Sequence, residues 1–252
     1  MIMLSSIRRS LEALNSAFIV GSGCVLLTAV LGTGCGRLPG EPTPAAVPVE
    51  PQNVTNFVRL YAENCAGCHG VDGRGNGALA LANPVYLALV DDATLRRVIA
   101  QGIPGSLMPA FAQSSGGFLT EAQVDILARE IRSRWAQSGV GPGAGLPLYA
   151  DAGPADARQG ALVFAKFCAT CHGPEGRGTG NVGSIVDGSY LALVSNQSLR
   201  TTVIAGRPDR GHPDWSHCLP GEALTGPQVS DVVAWLVSQR PALPGQPYVP
   251  TP

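Results

Sequence analysis

Apolar residues recur at helical spacing in two segments of the chain that lie about a hundred residues apart. Val124, Leu127, Ala128 and Ile131 form one set; Val229, Val232, Val233 and Leu236 form the other. Positions three and four apart share a helix face, so each set predicts an amphipathic helix with one buried side. Each is opened by a threonine with glutamine three residues on, Thr120 with Gln123 and Thr225 with Gln228, the order of a capping box. Upstream, Asp91 and Ser195 are well suited to cap a preceding helix in each half. The segments 54–64 and 155–167 read as further helices that run into glycine-rich loops. No stretch alternates as a strand would, so the pattern predicts an all-α chain of short helices.

The two halves are copies. CHGVDGRGNG (68–77) matches CHGPEGRGTG (171–180), and YLALV (86–90) returns unchanged at 190–194. Leu95-Arg96 pairs with Leu199-Arg200 and Pro104 with Pro208, while the offset drifts only from 103 to 105 residues. Such constant spacing marks a tandem duplication. The units run over 53–137 and 155–240, joined by a Gly- and Pro-rich linker at 138–154 and followed by a tail at 241–252 that reads as extended.

The N-terminal segment follows a different pattern. Arg8 and Arg9 precede an apolar stretch from Ala17 to Leu31, then small residues 32–36 and a Pro-rich spacer. Positive flank, apolar segment and small-residue exit make an export signal. The segment resembles a bacterial lipoprotein signal, with cleavage before Cys35 and a lipid on that cysteine; Gly32 stands where such signals prefer a branched aliphatic residue. The alternative is an uncleaved anchor, although the run is short for a span and is interrupted by Gly21 and Gly23. The domain order is therefore signal or anchor at 1–35, spacer at 36–52, then the two units. Either reading delivers the chain to the outer, periplasmic face of a bacterial membrane.

Composition narrows the partners. Net charge is −1 with no cluster of lysine or arginine, which argues against nucleic acid, since phosphate binding needs a basic face. Each unit of about 85 residues is small for an independent core, and a buried cofactor would add apolar volume.

That cofactor is indicated by the cysteines. Of seven, Cys65 and Cys68 precede His69, and Cys168 and Cys171 precede His172. Zinc sites built from two C-x-x-C pairs separate them by roughly 12 to 20 residues, far less than here. A thioredoxin-like pair would require a βαβ setting. C-x-x-C-H is the attachment signature of c-type haem: both sulfurs lie on one side of a helical turn, and the adjacent histidine reaches the iron. Two copies predict two haem c groups.

With these motifs each unit resembles a class I cytochrome c domain. The resemblance implies an all-α fold around the haem, with His69 and His172 as proximal ligands and a methionine usually opposite. Met108, before Pro109 in GIPGSLMPAF, fills that role in unit one. Unit two contains no methionine. At the matching register stands His212, followed by Pro213; His217, five residues on, is the alternative ligand, and an open iron the third option. Arg74 and Arg177, in the repeated G-R-G loop, are either contacts for haem propionates or solvated. Cys218 is left over, a small buried residue or a metal-binding or regulatory thiol.

The expected function is transfer of single electrons by a membrane-anchored dihaem cytochrome. Its partners would be subunits of a quinol-oxidising complex, terminal oxidase or photosynthetic reaction centre, together with other electron carriers. No nucleophile–base constellation points to an enzyme. The rival is a dihaem peroxidase or thiosulfate/sulfite dehydrogenase subunit with an open site at haem two.

Overall fold

The computed structural model describes residues 48–136, 145–150 and 153–242. The expected signal or anchor with Cys35, most of the spacer and linker, and most of the tail lie outside these residues. Among the described residues there is no β-strand, only three isolated bridges. No described helix is long and apolar enough to cross a membrane.

Among the described residues, ten α-helices fall into two lobes of five with the same order. In lobe one, α1 (Phe57–Asn64) runs into the single turn α2 (Ala66–His69), followed by α3 (Pro84–Leu89), α4 (Asp92–Gln101) and α5 (Glu121–Trp135). In lobe two the equivalents are α6 (Ala157–Phe167), α7 (Ala169–His172), α8 (Gly188–Leu193), α9 (Asn196–Ala205) and α10 (Gly226–Ser238).

Local chemistry accounts for the helix starts. Asp91 accepts from Thr94 N and Ser195 from Ser198 N, each satisfying an orphan donor of the first turn. Thr120 and Thr225 form complete capping boxes with Gln123 and Gln228. The apolar residues of α5 and α10 that follow are buried, as their spacing requires. The first helix of each lobe starts a little later than its apolar pattern. Asn56 caps α1 at Phe57 and Asp156 caps α6 at Ala157. The YLALV segments are helical too, begun by Asn83 and Asp187, whose side chains each accept two backbone N–H groups.

The lobes pack their first and last helices differently. In lobe one Phe57, Tyr61 and Trp135 form an aromatic trio with centroids 5.1 to 6.1 Å apart, in which Trp135 meets the other two edge-to-face. In lobe two the residue matching Phe57 is Gly160, where a Cβ would lie 2.0 Å from Asp231 O. The backbones of α6 and α10 therefore approach closely, and Phe164 stacks on Trp235 at 4.2 Å.

From Glu50 onward the chain is one compact unit, because the lobes share their cores. Val85 and Leu89 of α3 pack into the lobe-two cluster with Phe167, Ile204 and Leu224, while Ala205 packs into that of lobe one. Asn83 crosses the junction, donating from Nδ2 to Ala205 O at 2.7 Å while Oδ1 caps α3. The described part of the linker is bound as well. Tyr149 packs against both clusters, Gln197 donates to its carbonyl, and Arg200 donates to Leu148 O.

Candidate functional site

Each C-x-x-C-H motif occupies the corner where the first helix ends and restarts. Cys65 N donates to Tyr61 O at 2.8 Å, closing α1, and His69 N donates to Cys65 O at 2.9 Å, closing the next turn. Cys168 and His172 repeat this at 2.9 and 3.0 Å. The first cysteine of each pair is half-buried and the second exposed. Burial pushes the Cys65 and Cys168 thiols up to about 12.

The proximal histidines differ in their surroundings. His69 Nδ1 lies 2.8 Å from Leu79 O. A carbonyl can only accept, so the proton sits on Nδ1 and Nε2 is left bare for a metal. In lobe two the matching carbonyl, Val182 O, accepts instead from Thr179 N at 2.8 Å, and His172 Nδ1 is buried without a partner. Burial lowers the pKa of both imidazoles, keeping them in the neutral form that binds iron.

The loops after α4 and α9 are built alike. Each begins at a glycine of positive φ, Gly102 (69°) or Gly206 (68°). A Cβ there would lie 2.5 Å from Met108 O or 2.6 Å from Pro213 O, so only glycine fits the turn. Ile103 N then donates to Met108 O at 3.1 Å, and Arg207 N to His212 O at 3.0 Å. Met108 and His212 therefore occupy the same place in the same hydrogen-bonded loop, and both are half-buried.

In lobe two the candidate ligands come together. The His172 and His212 rings have centroids 5.7 Å apart at an interplanar angle of 50°. Each leaves a buried Nδ1 without a partner. Two neighbouring neutral imidazoles with unsatisfied ring nitrogens suit ligation of an iron. His217 lies elsewhere: its side chain is 74 % exposed and its Nδ1 is 2.8 Å from Asp214 Oδ1.

Other sequence candidates fall outside these corners. Arg74 (81 % exposed) pairs with Asp72 and Arg177 (78 %) with Glu175, each a carboxylate two residues earlier. Cys218 packs in the same cluster as Cys168 and donates to Asp214 O at 3.2 Å. Burial pushes its thiol up to about 11, which keeps it protonated and a poor nucleophile. Two features escaped the sequence. Tyr61 Oη donates to Gly70 O at 2.9 Å, holding the end of the first motif. Arg207, where lobe one has Ile103, was signalled only by a charge replacing an apolar residue in the repeat.

Paired C-x-x-C-H corners, each followed ahead of the last helix by the same hydrogen-bonded loop with one candidate side chain, define a tandem dihaem c-type cytochrome. The sequence matches the family described as Cytochrome C oxidase, cbb3-type, subunit III over residues 52–129 and 155–236. The chain belongs to this family, and its cofactors are two c-type haems. It is 34 % identical over 158 residues to the cbb3-type cytochrome c oxidase subunit FixP of Azorhizobium caulinodans, covering 58 % of this chain and 48 % of the relative. Identity to subunit CcoP of Rubrivivax gelatinosus is 30 % over 201 residues, covering 75 % and 60 %. The chain thus spans about half the length of the curated relatives it matches. A solved Kuenenia stuttgartiensis reducing HAO-like protein complex covers 81 % of this chain and 100 % of its own at 18 % identity, with a TM-score of 0.45, too low to carry weight.

Proposed function

We propose that the protein is an electron-carrying dihaem subunit of a cbb3-type terminal oxidase, held at the outer face of a bacterial membrane. The observation that carries this reading is the pair of equivalent loops, presenting a thioether at Met108 and an imidazole at His212. Both sites are then closed by protein ligands, as suits transfer of electrons and not turnover of a substrate. The haems supply reversible one-electron exchange at iron.

The chain's own residues do the rest. Cys65 and Cys68 hold one haem and Cys168 and Cys171 the other, so neither is lost during redox cycling. His69 with Met108, and His172 with His212, complete the two ligand sets. A thioether favours ferrous iron more than an imidazole does, so lobe one is the higher-potential site. Electrons run from lobe two to lobe one and on to the oxidase. A contact of Arg74 or Arg177 with a propionate would require each to leave its carboxylate partner. The anchor is a lipid on Cys35. The Cys35→Ser protein is then released from membranes, whereas retention would identify the segment 17–31 as the anchor.

Two measurements test the reading. Purification from native membranes should recover the catalytic subunits of an oxidase with this chain. The ferric spectrum should be low-spin at both haems and unaffected by cyanide. A high-spin haem two that binds cyanide tightly would indicate the dihaem-enzyme alternative instead.

A further inference from the structure

The strongest unassigned feature lies where the lobes meet. Arg207 and Asp209, on the turn that leads to His212, form a two-pronged ion pair: Nε to Oδ1 at 2.9 Å and Nη2 to Oδ2 at 2.7 Å. Both side chains are largely buried, at 18 % and 15 % exposed. They also reach across to lobe one. Arg207 Nη1 donates to Gly77 O at 3.2 Å, and the Asp209 carboxylate lies so close to Gly75 that a Cβ there would be 2.9 Å from Oδ2.

The loop they touch belongs to the first haem site. Gly75 N donates to His69 O at 2.8 Å, and Asn76 N to Cys68 O at 3.1 Å. On the other side, Arg207 N donates to His212 O and His212 N donates back to Arg207 O, both at 3.0 Å. A bonded route therefore runs from His69 through the 75–77 loop and the Arg207 guanidinium to His212.

We propose that Arg207 and Asp209 are positioning residues that form an electrostatic joint between the two haem sites and set both reduction potentials together. This rests on the two-haem reading above. Reduction adds one negative charge at an iron, so a nearby cation favours the reduced form and an anion disfavours it. In the largely buried junction such charges are weakly screened. Held as a pair they nearly cancel; separated, each would move both haems in the same direction. A sensor of this kind also lets the docking of the lobes affect the driving force between them.

Haem-resolved redox titration of the full dihaem protein tests this. Arg207→Gln should shift both midpoints to more negative potential, and Asp209→Asn should shift both to more positive potential. The double variant should return both towards the parent values, which a merely structural role would not do. If only haem two responds, or if the two single variants shift the same way, the proposal is overturned. Should Arg207→Gln fail to fold, Asp209→Asn decides alone by whether both waves rise. Ligand-sensitive ferric spectra, recorded in parallel on His212→Ala, keep the ligation reading separate. An unchanged haem-two spectrum there would remove His212 as ligand while leaving the two-haem shifts to be judged independently.

Discussion

Lobe one and lobe two share a helix order and a loop geometry, yet they treat their histidines in opposite ways. Lobe one orients His69 with the Leu79 carbonyl and carries a methionine, Met108, in its ligand loop. Lobe two turns the matching carbonyl to Thr179 and presents a second imidazole. The two changes act against each other. Exchanging thioether for imidazole lowers the potential of the second haem. Loss of an Nδ1 partner makes His172 a less basic ligand, which raises it. The axial exchange wins, because it replaces a ligand of the iron whereas the carbonyl acts through one. A duplicated domain can thus acquire a second potential while its helix order and ligand loop stay the same.

The largest effect should come from making the lobes alike. His212→Met should raise the haem-two potential on the order of 100 mV, within the roughly 0.8 V that axial ligands span, and leave haem one nearly in place. Met108→His should do the reverse, and potentiometry with optical detection reads both. Next come the loops. Gly206→Ala strains a positive-φ turn and clashes with Pro213 O, costing about 1–3 kcal/mol. It should disturb the ligand spectrum of haem two alone, as Gly102→Ala should that of haem one. Asn83→Ala removes a cap from lobe one and leaves the Ala205 carbonyl unpaired at the junction. It should cost about 2 kcal/mol in chemical denaturation and loosen lobe docking without changing either ligand set.

The smallest effect is on pH. The Arg207 guanidinium, through its hydrogen bonds to the carboxylate, holds Asp209 below its ordinary value of 3.8. A depressed carboxylate contributes stability above its unfolded pKa and loses it as pH falls through the folded value. The junction should therefore hold unchanged from pH 7 to about 5 and weaken below about 4. Asp209→Asn should abolish that acid component, as followed by thermal melts across this range.

Much of this comparison is legible in the sequence because it depends on local chemistry. Capping boxes, N-caps and the C-x-x-C-H turns are decided within four residues, and Met108 and His212 keep the same register because each lies six residues after the glycine that opens its loop. What is missing is tertiary. Arg132 donates to Leu87 O and Val90 O at the end of α3, and Arg240 donates to Leu191 O and Val194 O in the second lobe. The same clamp arrives from positions 108 residues apart, about one helical turn out of register, so alignment of the repeat conceals it. The YLALV helices were obscured by their brevity, although Asn83-Pro84 and Asp187 were sound start signals. The shared core could not be inferred from either unit alone, because Val85 and Leu89 fit equally well inside lobe one.

The central claim is that one duplicated fold holds two unlike irons. The most direct measurement is a haem-resolved redox titration of the unaltered protein. Two separated one-electron waves are predicted, the higher lost or shifted in Met108→His and the lower in His212→Met. A single unsplit wave that neither substitution moves would contradict the account.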